Sequence, residues 1–173
     1  KKLRRPLSFS SLKRSAERRT KLDDWGDRTT FDEAFAMAVS RLNEVDHSPV
    51  GRILCYDSLL GRLVVRLEII EEAKKKTREG ELTQAPIFVM GLPRSGTTFL
   101  HRLLALDPNS RYPETHELLQ PVVGTSSFSR EKRIKYWEKK LTELKSLVPQ
   151  LDAIHEIGAT EAEECLLAMS VEV

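Results

Sequence analysis

The clearest chemical signal in the sequence is the loop Gly91–Thr98, which reads Gly-Leu-Pro-Arg-Ser-Gly-Thr-Thr. It nearly satisfies the phosphate-loop pattern, in which a glycine, four residues and a second glycine are followed by lysine and then by serine or threonine. Two glycines allow a tight turn, and successive N–H groups converge on an anion where a helix begins with partial positive charge. The loop therefore predicts an anion site, to which the hydroxyls of Thr97 and Thr98 add donors.

The loop departs from the pattern at one informative position. In nucleoside-triphosphate enzymes the lysine reaches the β- and γ-phosphates and the next hydroxyl binds magnesium. Here Thr97 stands in the place of the lysine, and the positive charge is Arg94, whose planar guanidinium can grip an anionic group through two hydrogen bonds. The loop favours a shorter anion held without a metal ion, and we predict no metal site. A phosphate-loop kinase or NTPase variant is the alternative interpretation.

The segments around this loop predict the elements that position it. Pro86 opens Ile87–Met90, a short apolar run typical of a strand buried in a parallel sheet. After the loop, the run from Thr98 to Leu106 predicts a helix. Strand, loop and helix predict an α/β fold: a P-loop-like three-layer sandwich with an incomplete parallel sheet, preceded by a helical segment. The ligand is expected at the carboxyl ends of the strands.

The other predicted elements follow from apolar periodicity and from helix-capping residues. Thr30 and Glu33 fit a capping box at the start of one helix, and a helix from Pro49 to Gly80 would bury one apolar stripe, formed by Ile53, Tyr56, Leu60, Leu63, Leu67 and Ile70. The later predictions are irregular structure over 109–128, a helix over 130–148, a strand over 151–157, and a last helix from Glu161 with Thr160 and Glu163 at its cap. Glu163 and Glu164 are interpreted as structural carboxylates of that helix.

A basic segment begins the chain. Residues 1–22 contain nine Lys or Arg and one Glu, although the formal net charge of the 173 residues is only +2. Like charges without sustained periodicity predict a largely disordered tail over 1–25, followed by the helical segment over 26–82. Contact of the tail with an anionic surface is a second interpretation. A third class of function is a non-catalytic module that binds a partner through the tail and the helices.

The stretch Pro86–His101 resembles the 5′-phosphosulfate-binding loop of the sulfotransferases, which transfer a sulfuryl group from 3′-phosphoadenosine 5′-phosphosulfate (PAPS) to an acceptor. Its Pro-Arg-Ser-Gly-Thr-Thr form is similar to that of the tyrosylprotein sulfotransferases and of many bacterial and algal relatives, whereas the cytosolic branch has lysine in place of arginine. The resemblance continues through Asp107-Pro108, Pro113-Glu114 and the segment from His155 to Cys165, and covers roughly 84–170. Residues 83–173 are therefore interpreted as the front half of a sulfotransferase-like domain.

The resemblance implies a role for each loop residue. Arg94 would neutralise the 5′-phosphosulfate and the charge that develops on the leaving phosphate. The donor-binding residues would be Pro93, Arg94, Ser95, Gly96, Thr97 and Thr98. For the general base, His155 is the first candidate and Glu114 its rival, with His116 and Glu117 as further alternatives. The two adjacent glutamates of the tyrosylprotein branch are not both present, because Thr115 replaces the second.

The implied partners are PAPS as sulfuryl donor and a hydroxyl-bearing acceptor of unspecified class. The family binds the 3′-phosphate of the donor with groups on a later strand–helix unit, which would lie after Val173, so the chain by itself is expected to lack transferase activity and to bind PAPS weakly. The only cysteines, Cys55 and Cys165, match neither a disulfide framework nor a metal-ligand spacing. They favour a cytoplasmic location, with the Golgi lumen as the alternative if an anchor precedes this sequence.

Overall fold

The computed structural model describes residues 6–27, 30–75, 85–92, 94–122, 129–154 and 156–171. Two compact units divide the chain: Lys1–Thr77 together with Met169–Val173, and Arg78–Ala168. Regular structure in the described residues is helical, and the one β-type pairing among them is an isolated antiparallel bridge between Glu114 and Ala162. The helices are α1 (Phe9–Thr20), α2 (Phe31–Glu44), α3 (Pro49–Lys75), α4 (Thr97–Leu104), α5 (Thr115–Leu119), α6 (Arg130–Leu147), α7 (Leu151–Ile154) and α8 (Leu166–Met169).

Helix α1 corrects the prediction of a largely disordered tail over 1–25. It begins after Ser8, whose hydroxyl accepts a hydrogen bond from the Ser11 N–H. Leu12 and Ala16, four residues apart on one face, are fully buried. Four of the basic residues that predict disorder, Lys13, Arg14, Arg18 and Arg19, lie on the same helix. Burial of the apolar face offsets the repulsion between like charges, so this part of the tail folds.

The first unit is built on α1, α2 and α3. Both predicted starts are confirmed, since α2 begins directly after Thr30 and α3 begins at Pro49. The capping box is wrong, because the Thr30 side chain makes no capping hydrogen bond. The predicted end of α3 at Gly80 lies outside the described residues. The core of the unit comprises Leu12, Ala16, Trp25, Phe31, Phe35, Val39, Leu59, Leu63 and Leu67.

The predicted stripe on α3 is correct only in part. Leu63 and Leu67 are fully buried, as the periodicity predicts. Ile53 is 55% exposed and Tyr56 is 37% exposed, so the stripe does not extend into the N-terminal part of the helix. Arg66 is buried instead: its guanidinium lies over the Phe31 ring and donates to backbone carbonyls, which satisfies a charge that apolar periodicity cannot anticipate.

The second unit lacks the predicted sheet in its described residues. Residues 85–92 have no regular secondary structure, and the side chains of Ile87 and Phe88 are each 76% exposed. An apolar run becomes a strand only where another strand pairs with it, and no described segment pairs with this one. The three-layer sandwich is therefore not seen in the part of the chain that is described.

Helices of the second unit confirm some predictions and correct others. Helix α4 and helix α6 lie where the sequence predicts them, and the Ser129 hydroxyl caps α6 by accepting from the Lys132 N–H. The strand predicted over 151–157 is wrong for Leu151–Ile154, which form the short helix α7. The last helix does not begin at Glu161, because 159–163 pair with 113–116 through backbone hydrogen bonds. Helix α5 lies within the span that was expected to be irregular.

The predicted domain division into 1–25, 26–82 and 83–173 stays a prediction.

Within the described residues, no helix is both long enough and apolar enough to cross a membrane.

Candidate functional site

The loop that carries the predicted anion site is closed tightly around Gly91. A Cβ atom on Gly91 would lie 2.6 Å from Ser95 Oγ and 2.8 Å from Thr97 Cγ2, so a larger residue would require these two side chains to move. The Ser95 N–H donates to the Leu92 carbonyl at 3.2 Å and closes the turn. The first glycine of the motif is therefore required for close approach, as the phosphate-loop pattern implies.

Two residues of the loop have left-handed backbone conformations. Gly96 has φ +88°, which glycine adopts without steric cost, and it is the N-cap of α4. Arg94 has φ +66°, and a non-glycine residue in such a region carries a strain of about 1–3 kcal/mol. The Arg94 side chain is exposed, and it forms no ion pair or hydrogen bond with the described residues. A strained arginine with a free guanidinium is suited to an external anion.

Helix α4 supplies the second part of the site. The first N–H groups of an α-helix have no acceptor within the helix, and they carry the positive end of its dipole. Gly96 has no side chain to cap them. The N–H groups at the start of α4, those of Thr97 and Thr98 among them, are thus suited to bind the oxygens of an anion.

Two polar contacts join α4 to the segment 156–164. The Thr98 hydroxyl donates to Glu164 Oε1 at 2.6 Å. One turn later, the Arg102 guanidinium donates to the Glu156 carbonyl at 2.6 Å and to the Glu156 carboxylate at 3.2 Å. These contacts hold α4 against a segment that lies more than fifty positions later in the sequence.

The segment 159–163 is in turn paired with 113–116. The N–H groups of Thr115 and His116 donate to the carbonyls of Glu161 and Ala159 at 3.1 and 3.0 Å, and the Glu163 N–H donates to the Pro113 carbonyl at 3.1 Å. Through this pairing, the residues around Glu114 are connected to those that contact α4.

Both the side chain and the backbone N–H of Glu114 form hydrogen bonds. Its two carboxylate oxygens accept from Arg130 Nη2 at 2.8 and 2.7 Å. Its side chain also caps α5 by accepting from the Glu117 N–H, while the Glu117 carboxylate accepts from the Glu114 N–H at 3.1 Å. The surrounding pocket has a volume of about 290 Å³ and is lined by Ser110, Arg111, Tyr112, Glu114, Glu117 and Arg130.

His116 is fully buried beside this carboxylate. Its Nδ1 lies 3.2 Å from Glu114 Oε2, yet neither ring nitrogen has a hydrogen-bond partner of acceptable geometry among the described residues. Burial lowers the pKa of His116 below its usual value; the Glu114 carboxylate acts in the opposite direction, and the Arg133 guanidinium adds to the lowering. The imidazole is therefore neutral at pH 7.

The predicted site residues fall into two groups. Arg94, Ser95, Gly96, Thr97 and Thr98 lie together in the loop and the first turn of α4, whereas Glu114, His116 and Glu117 lie together at α5. Pro93 and His155 lie outside the described residues. Sequence reasoning missed the contact of Glu164 with Thr98, because Glu164 was assigned to the first turn of a helix. It also missed Arg130, for which the sequence offers no signal beyond a charge at a helix start.

The fold of this chain is similar to that of a solved structure. The chain is similar to the crystal structure of sulfotransferase STF1 from Mycobacterium tuberculosis H37Rv, with a TM-score of 0.76 and 26% sequence identity. The match covers 96% of this chain and 47% of the other, so the chain spans about half the length of that protein. A comparison with curated proteins gave no significant match.

A family model described as the sulfotransferase family matches residues 86–173. That region is just over half of the chain, and it contains the loop, α4, α5 and the segment 156–164. The chain belongs to the sulfotransferase family.

Proposed function

We propose that this chain forms the donor-binding part of a PAPS-dependent sulfotransferase, and that the loop Gly91–Thr98 holds the 5′-phosphosulfate. The observation that carries the proposal is a combination of two features of the loop. A Cβ on Gly91 would crowd the Ser95 and Thr97 side chains, and the exposed Arg94, shortly before the start of α4, has no partner among the described residues. A loop of this kind offers backbone N–H groups and one guanidinium to the same anion. These residues fit a phosphosulfate in charge and in donor type.

In this proposal the bound donor supplies an activated sulfuryl group, and the residues of the chain position it and balance its charge. The N–H groups of Gly96, Thr97 and Thr98 hold the phosphate, with that of Ser95 joining them only if it turns away from the Leu92 carbonyl. Arg94 neutralises the charge that grows on the leaving phosphate as the bond to sulfur breaks. Catalysis by positioning and charge stabilisation is the pattern of phosphoryl transfer, which sulfuryl transfer resembles. Removal of one such donor costs about a hundredfold in rate.

The acceptor is proposed to be a hydroxyl group, whose proton must pass to a base as the new oxygen–sulfur bond forms. His155 is the preferred base. What supports this preference is the state of Glu114, whose two oxygens already accept from Arg130 and which also caps α5. Both oxygens of Glu114 are thus already engaged in structural contacts, which an acceptor hydroxyl would have to displace. His116 is neutral but fully buried, which places it out of reach of an external hydroxyl.

The donor class can be tested by titration of the whole chain, followed through backbone amide chemical shifts by NMR, a method that detects weak binding. Adenosine 3′,5′-bisphosphate without magnesium should shift the amides of Gly96, Thr97 and Thr98. ATP with magnesium should shift them less at the same concentration. A larger response to ATP that requires magnesium would instead support a phosphate-loop NTPase. If neither nucleotide shifts these amides, the proposal is wrong.

A further inference from the structure

The hydroxyl of Thr98 already donates a hydrogen bond to a carboxylate of the chain, that of Glu164. Its Oγ1 lies 2.6 Å from Glu164 Oε1, a distance typical of a hydroxyl that donates to a carboxylate. Thr98 is the second residue of α4, in the turn where the N–H groups are open to an anion. A carboxylate of the protein therefore lies beside the proposed donor site.

Glu164 is held there by its own backbone and not only by Thr98. The Glu164 N–H donates to Glu163 Oε1 at 2.8 Å. Glu163 is itself buried, and its N–H donates to the Pro113 carbonyl at 3.1 Å. Together with the pairing of 159–163 with 113–116, these bonds hold the backbone of Glu164 beside α4, and its exposed side chain reaches Thr98 from there.

A threonine hydroxyl has a single proton to donate. A phosphate or sulfate group bound at the start of α4 can only accept, so it requires that proton for a hydrogen bond with Thr98. Glu164 requires the same proton, and its negative charge also repels the anion, an effect that weakens with ionic strength. The Thr98 hydroxyl can therefore donate to Glu164 or to an external anion, but not to both at once.

We propose that Glu164 is a built-in competitor for the anion site, which lowers the affinity of the loop and releases Thr98 only to a bound phosphate or sulfate group. The inference rests on the proposed function, because it requires that the loop bind an anion. It assigns to Glu164 a positioning role, exerted through Thr98, and not a role in contact with the reacting atoms. Its distinctive consequence is that loss of this carboxylate improves binding.

The test is the affinity of the whole chain for adenosine 3′,5′-bisphosphate, measured from amide shifts of the loop. Glu164→Gln removes the charge at nearly constant shape, and Glu164→Ala removes the acceptor as well. Both should bind about tenfold more tightly than the unsubstituted chain, the scale of a solvent-screened hydrogen bond to a charged group. In a Thr98→Val background the gain from Glu164→Ala should fall to about half or less on a logarithmic scale, because competition for the hydroxyl no longer exists and only the loss of charge remains.

Glu161→Gln is the matched control. Glu161 is exposed and lies on the same segment, so this change removes an equal charge without touching Thr98, and less than a twofold change is expected. If both Glu164 variants bind equally or more weakly while Arg94→Ala abolishes binding, the inference about Glu164 is wrong and the proposed function stands. If no variant binds the nucleotide, Glu164→Gln included, the proposed function is wrong and the inference falls with it.

Discussion

Arg130 Nη2 contacts both carboxylate oxygens of Glu114, at 2.8 and 2.7 Å. The contact joins the first turn of α6 to the cap of α5, and the same carboxylate accepts the Glu117 N–H. Glu114 is mostly buried, with 17% of its side chain exposed, whereas Arg130 is 54% exposed. The carboxylate is thus part of the framework of the second unit.

The first prediction concerns the stability that Glu114 provides. Glu114→Ala removes a helix cap and one partner of a half-exposed ion pair, and should lower the free energy of unfolding by about 1–2 kcal/mol, measured by urea denaturation. Arg111→Gln is the control, because the Arg111 side chain is highly exposed and its pair with Glu117 should contribute about 0.5 kcal/mol or less. Equal stability of Glu114→Ala and the unsubstituted chain would contradict the framework role.

A second prediction follows from the buried imidazole of His116. Its pKa is lowered by burial, so between pH 6.5 and the lower pKa of the folded state the unfolded chain binds more protons than the folded chain. The free energy of unfolding should therefore be unaffected by His116 above about pH 6.5. It should decrease as the pH falls from there through the folded-state pKa of His116. Urea unfolding from pH 8 to pH 5.5 should show this slope, and His116→Gln should reduce it. An unchanged slope in the variant would show that other groups are responsible.

The third prediction compares two positions of the apolar stripe on α3. Leu63 is fully buried in the first unit, and Leu63→Ala should cost about 2–5 kcal/mol by loss of burial and formation of a cavity. Ile53 lies on the same helix but is 55% exposed, and Ile53→Ala should cost less than about 1 kcal/mol. Both values come from chemical denaturation. Comparable losses at the two positions would mean that the stripe is buried along its whole length.

A fourth prediction separates loop geometry from overall stability. Gly91→Ala places a Cβ within 2.6 Å of Ser95 Oγ and 2.8 Å of Thr97 Cγ2, so it should weaken binding of adenosine 3′,5′-bisphosphate about three- to tenfold by displacing these two side chains. Because the loop is exposed, the midpoint of thermal unfolding should change little. Gly61→Ala is the control: nothing lies within 4 Å of a Cβ there, and alanine within α3 should stabilise by about 0.5–1 kcal/mol without affecting binding. Normal binding by Gly91→Ala would contradict the close approach.

Local signals predicted helices α2, α3, α4 and α6 but missed α1, α5 and α7. Non-local pairing explains two of the errors, the unpaired Ile87–Met90 and the helix expected from Glu161. Helices α4 and α6 have clear starts and one apolar face, which a short window of sequence contains. The two strand predictions depend on less local information. Ile87–Met90 requires a partner strand, and none of the described segments pairs with it. Leu151–Ile154 contains only a short apolar run, which is equally compatible with a helix. The helix expected from Glu161 is prevented by bonds to residues about 46 positions earlier, which no local pattern reveals.

The candidate site was predictable to a similar extent. The loop residues follow from a contiguous motif, so the positions of Arg94, Gly96 and Thr98 at the start of α4 could be predicted from sequence alone. The contact of Thr98 with Glu164 spans 66 positions, and it depends on the backbone pairing of 159–163 with 113–116. Such a contact is a property of the tertiary structure, and the sequence indicates only that two carboxylates are available there.

The central claim is that Arg94, with the first amides of α4, holds an anionic nucleotide, and substitution of Arg94 tests it most directly. The affinity for adenosine 3′,5′-bisphosphate should be measured for the whole chain and for Arg94→Ala, with Arg41→Ala, which removes an exposed charge from α2, as the control. We predict a loss of about ten- to hundredfold for Arg94→Ala, as expected for a charge-assisted contact, and less than twofold for the control. Equal affinities of Arg94→Ala and the unsubstituted chain would contradict the claim.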